Sequence, residues 1–124
     1  MKNDNVIQTK SFEFAVKIVR VYQLLLEEKK EYVLSKQLLR CGTSIGANVE
    51  EAIGGQSDND FFAKLTISYK EARETHYWIR LLIATDYLTK EKGESLLQAV
   101  EELLKIIGSI QKTLRSKKFV IRNS

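Results

Sequence analysis

The sequence predicts an all-α protein, an antiparallel up-down-up-down four-helix bundle. Three observations point there. The 124 residues contain no Pro. Charged residues make up 29% of the chain, yet apolar residues return every three or four positions in four separate blocks. Only short breaks divide the blocks, and short loops between long helices make neighbours antiparallel. No low-complexity linker interrupts the chain, so one domain is expected over 1–124.

The first helix is expected over about 12–28. Phe14, Ile18, Val21, Tyr22 and Leu25 line one face, and Ser11 is placed to cap it. The charged run from Glu27 to Glu31 marks a loop. The second helix is expected over about 36–53, with Ser35 as N-cap and Leu34 packing on Leu39. Leu38, Cys41, Ile45, Val49 and Ala52 form its stripe, and Gly54-Gly55 offer left-handed residues to end it.

The third helix is expected over about 58–86, where Ser57 and Asp60 resemble a capping box. Phe62, Leu65, Tyr69, Ala72, His76, Ile79 and Ile83 follow a seven-residue repeat, the pattern of near-parallel helix packing. The fourth is expected over about 90–115 with Thr89 as N-cap. Leu96, Ala99, Leu103, Ile106 and Ile110 make one stripe; Leu97, Val100, Leu104, Ile107 and Leu114 make a second beside it. A basic tail, 116–124, follows.

The net charge of +4 is unevenly placed. Residues 41–110 hold seven basic and eleven acidic side chains, whereas 111–124 hold five basic and no acidic ones. Lys112, Arg115, Lys117 and Lys118 therefore form a candidate phosphate-attracting region. The alternative is a solvated helix end, which cations also suit. One Cys forms no internal disulfide and suggests a reducing compartment; one Cys and one His exclude a zinc site of four such ligands. No apolar run suits a signal peptide or a membrane span. A cytoplasmic protein without membrane, metal or cofactor is expected.

Nothing frames a catalytic nucleophile, so no enzyme is expected. A bundle di-metal site needs a Glu-x-x-His pair from each of two helices, and Arg73 stands three residues before the lone His76. Gly42 and Gly46 lie inside the second helix, each costing about 1 kcal/mol against Ala. Their spacing clears a strip for close approach, inside the bundle or between subunits. Arg40, Ser44 and Glu51 share one helical strip, with Asn48 beside it, either as a polar network or as a solvated face. Phe61, Trp78 and Leu82 make the third helix apolar beyond its stripe, which suggests a second packing partner or an oligomer contact. Lys70, Arg73, Tyr77 and Arg80 follow on the opposite flank; cations around an aromatic suit phosphate contact with base stacking. Glu74 within that run speaks for a solvated face instead.

Arg40-x-x-x-Ser44-Ile45-x-x-Asn48-Val49-x-Glu51, then Gly54, Ser57, Asp60-Phe61 and Leu65, resembles the four-helix-bundle family of the 23S rRNA intervening-sequence protein. Lys70-Glu71-Ala72-Arg73-Glu74-Thr75 before Tyr77-Trp78 is similar to one branch of it. The resemblance covers about residues 11–115. It implies a bacterial homo-oligomeric ring, often a pentamer. Relatives include accessory proteins of diversity-generating retroelements, which implies RNA or DNA as a partner. Gly55 stands where many relatives carry a basic residue, which removes positive charge beside the motif. The alternative is a protein-interaction scaffold without nucleic acid.

Overall fold

The computed structural model describes the backbone of residues 2–123 and the side chains of residues 6–117. Four helices follow one another: α1 (Lys2–Glu27), α2 (Leu34–Ile53), α3 (Asp58–Ala84) and α4 (Lys90–Asn123). Each packs on the next and α4 returns to α1; among the described residues no close backbone approach joins α1 to α3 or α2 to α4. The helices therefore occupy four corners around one core.

The core is built from heptad-like steps on all four helices. Phe14, Ile18 and Leu25 face in from α1; Leu38, Cys41, Ile45, Val49 and Ala52 face in from α2. Burying one such aliphatic side chain contributes about 1.5–3 kcal/mol. On α4 the interior set is Leu96, Val100, Leu103, Ile107, Ile110 and Leu114, so the core faces the seam between the two expected stripes.

The register of α3 differs from expectation. Its buried residues are Leu65, Ser68, Ala72, Thr75, Ile79 and Leu82. Phe62, Tyr69, His76 and Ile83, on the expected stripe, are only half-buried. The core-facing line is thus rotated toward α2, where two small hydroxyl residues sit. Ser68 Oγ donates to the Ile45 carbonyl of α2 at 2.9 Å, and Thr75 Oγ1 donates to its own helix at Glu71 O, 2.7 Å. Hydroxyls fit here because each finds an acceptor. Leu82, expected at a second interface, is fully buried in this core.

The helix ends correct several expectations. α1 begins at Lys2, so Ser11 is an interior residue; its Oγ donates to Gln8 O at 3.2 Å. Ser11 is buried because α2 crosses there: a Cβ on Gly46 would lie 3.2 Å from Ser11 O. A Cβ on Gly42 would lie 2.8 Å from Ile18 Cγ1. The glycine strip therefore serves α1 of the same chain. α2 begins at Leu34, before the expected cap Ser35. Its cap is Glu31, whose carboxylate accepts from the N–H of Val33, Leu34 and Ser35 at 3.0, 2.9 and 2.7 Å.

Gly54 and Gly55 do not end α2 in the left-handed region. Gly54 has φ −78° and no glycine has positive φ; the left-handed residues are Lys30 and Asp86. Gly55 is needed for space, since a Cβ there would meet Ala52 O at 3.1 Å and Asp60 Cβ at 3.3 Å. Asp86 ends α3 two residues earlier than expected: its N–H reaches Ile83 O and the Tyr87 N–H reaches Leu82 O. Ser57 and Thr89 cap α3 and α4 as expected, accepting from Asp60 N–H and Lys92 N–H. α4 continues through Asn123, so the expected tail is helical up to that residue.

Candidate nucleic-acid interface

The outer side of α3 carries Lys70, Arg73, Tyr77 and Arg80, all exposed. Ten residues separate the first from the last, about 15 Å along a helix. Among the described residues no ion pair engages Lys70, Arg73 or Arg80. Tyr77 is 50% exposed, packs edge-on against Trp78 with centroids 5.2 Å apart, and lies 5.9 Å beneath the Arg80 guanidinium.

Glu74 does not neutralise this row. Its carboxylate turns toward α2, where Arg40 pairs with it, and Trp78 Nε1 donates to the same oxygen at 2.9 Å. Arg40 also donates to Glu71 Oε2 at 3.2 Å. Two acidic residues are thus drawn off the α3 surface by one arginine from a neighbouring helix. The indole anchor explains why Trp78 is half-buried: its ring packs against the core while its N–H reaches a carboxylate.

Arg40, Ser44, Asn48 and Glu51 are not one network. Ser44 Oγ donates to Arg40 O at 2.6 Å and Asn48 Nδ2 to Ser44 O at 2.8 Å, so both bond their own helix. Glu51 pairs with Lys64 of α3 at 3.6 Å. The strip instead carries two α2–α3 clamps, one at each end.

The second basic region stands apart. Lys112, Arg115 and Lys117 are exposed on α4, and the last two lie against the start of α3. Lys117 Nζ pairs with Asp58 Oδ2 at 2.9 Å, and the Arg115 guanidinium lies 5.3 Å over the Phe62 ring. Lys118's side chain lies outside the described residues. Fifteen residues of α3 separate Phe62 from Tyr77, about 22 Å, so the two regions do not merge.

Phe61, expected with Trp78 at an outer contact, is half-buried against the bundle's own core. His76 Nε2 lies 3.1 Å from Glu101 Oε1 across the α3–α4 seam. Burial pushes the Cys41 thiol up to about 11, so it stays protonated at neutral pH and is no nucleophile. Among the described residues no three His, Cys, Asp or Glu stand together as a metal site, and no helix is long and apolar enough to cross a membrane.

Sequence reasoning missed one surface. Phe12 is 68% exposed, Val16 42% and Val19 38%, in a row on the outside of α1. Steps of four and three were the available signal.

The family described as 23S rRNA-intervening sequence protein matches residues 3–109. Nothing among the curated proteins matches the chain. A solved structure from Bacteroides thetaiotaomicron, a protein of unknown function from the S23 ribosomal protein family, is 54% identical with a TM-score of 0.87. The match covers 89% of this chain and 98% of that one.

Proposed function

The chain belongs to the 23S rRNA-intervening sequence protein family, and on that premise we propose that it is a homo-oligomeric, non-catalytic, cytoplasmic protein that associates with RNA or DNA. One observation carries this: Arg40 and Trp78 hold Glu74 aside, leaving Lys70, Arg73 and Arg80 as an un-neutralised row around an exposed Tyr77. Such a row suits backbone contact plus a stacking platform, without base-edge readout. Binding would be sequence-tolerant and steeply salt-dependent.

The test is binding of a structured RNA and of duplex DNA across a salt series. Arg73→Gln with Arg80→Gln should weaken binding across sequences and lower the salt slope by about 2, one per lost phosphate contact. The control pair Lys29→Gln with Lys30→Gln should do less. No binding at low salt refutes the proposal and favours a protein-interaction scaffold, the second reading, which the exposed Phe12 row on α1 supports.

A further inference from the structure

Arg73 and Arg80 stand seven residues apart, so at about 100° per residue they lie within about 20° of each other around α3. Tyr77 falls between them in height, about 6 Å beyond Arg73 and about 4.5 Å short of Arg80. Lys70 lies about 4.5 Å before Arg73 and extends the row. An exposed ring is thus bracketed by cations along one helix. The ring is also braced. Trp78 packs edge-on against it with centroids 5.2 Å apart, and the indole N–H is tied at 2.9 Å to Glu74, which Arg40 of α2 holds. Beside this anchored indole Tyr77 remains 50% exposed.

We infer that the row takes an unpaired stretch of nucleic acid, with one base stacked on Tyr77 and the phosphates on either side of it held by Arg73 and Arg80. This ligand class rests on the nucleic-acid reading of the row and narrows it. A duplex keeps the faces of its internal bases inside its own stack, and opening a step costs a few kcal/mol. A single strand offers a base face without that cost. The Arg80 guanidinium, 5.9 Å from the ring centre, sets a positive charge beside the stacked base. Charge alone argues the other way. Each neutralised phosphate contributes about 0.9 to the salt slope on a duplex and about 0.7 on a single strand. Cations without the ring would therefore favour the duplex, so a preference for the single strand is the signature of Tyr77.

The probe is a short mixed-sequence DNA strand, alone and annealed to its complement, titrated with the full chain across a salt series. The wild type should bind the single strand more tightly, and the advantage should grow with salt because the single-strand slope is the smaller. Tyr77→Leu keeps an apolar side chain at an exposed helix position and removes the ring. It should weaken single-strand binding about five- to a hundredfold and change duplex binding little. A melting curve matching the wild type verifies its fold. Tyr77→Phe keeps the aromatic face and should keep the preference. Tyr32, 54% exposed in the loop before α2, is the control, and Tyr32→Leu should leave both affinities unchanged. Duplex binding as tight as single-strand binding in the wild type, a preference that survives Tyr77→Leu, or an equal loss in Tyr32→Leu would each overturn the inference and leave the cationic row standing. Binding of neither form at low salt would refute the nucleic-acid reading itself, and this ligand class with it.

Discussion

Replacing Glu31 tests the most specific local arrangement in the fold. Its carboxylate serves three successive N–H groups at the start of α2, and the residue is 8% exposed. Losing an N-cap costs about 0.5–2 kcal/mol. Here one of the three donors, Ser35 N–H, is buried, and a buried donor left unmade costs about 1–3 kcal/mol. Water reaches Val33 and in part Leu34, so those two donors recover most of their bonding. Glu31→Ala should therefore cost about 2–3 kcal/mol, roughly 8–12 °C in Tm at this size. Glu31→Gln keeps an acceptor and should cost about half as much. Acid supplies a second test. Burial pushes the Glu31 pKa up, but the N–H groups of Leu34, Ser35 and Val33 outweigh it and leave the pKa below the usual glutamate value. The charged cap's contribution is then complete above the unfolded pKa, about 4.3, and fades as pH falls through the lower folded value. Urea midpoints of wild type and Glu31→Gln should differ by a constant amount from neutral pH to about 5, then converge. An Ala variant melting with the wild type, or a gap that widens in acid, would refute the assignment.

Gly46→Leu should lower the urea midpoint by an equivalent of about 1–3 kcal/mol or more, because even a Cβ comes within 3.2 Å of the Ser11 backbone oxygen; a wild-type midpoint would mean α1 can move aside. Glu74→Gln should tighten RNA binding at low salt and steepen the salt slope by up to about 1, since Arg40 loses an anionic partner and gains reach to phosphate. An unchanged slope would place Arg40 outside the binding surface. Cys41, with its thiol pushed up to about 11 by burial, should react with a thiol reagent only in denaturant; rapid native labelling at neutral pH would contradict its placement.

The four helices were legible because hydropathy periodicity survives without knowledge of neighbours. What failed depended on neighbours. The line through Phe62, Tyr69, His76 and Ile83 is the more hydrophobic one, yet α3 turns Ser68 and Thr75 inward, because Ser68 can bond the Ile45 carbonyl. The start of α1 looks polar and predicts a helix only from about residue 12, yet Ile7 is 1% exposed and packs into the core. Glu31 sits in a run of charges and resembles any loop carboxylate; only the path of the chain shows its aim at α2. Within its own helix Glu74 speaks against a basic row; Arg40, thirty-four residues earlier, draws its carboxylate away, and a single-helix reading does not see that partner.

The glycines of α2 and Leu82 on the second apolar side of α3 are covered within the chain, and Phe61 and Trp78 are half-buried against its core. The α1 row Phe12, Val16 and Val19 has the same kind of spacing and lies exposed. α1 and α3 occupy opposite corners of the bundle, with no close approach between them among the described residues. Val16→Asp on α1 should therefore leave the binding of a short oligonucleotide by the Lys70–Arg80 row unchanged. Loss of that binding in a variant whose melting curve matches the wild type would place α1 in the binding surface.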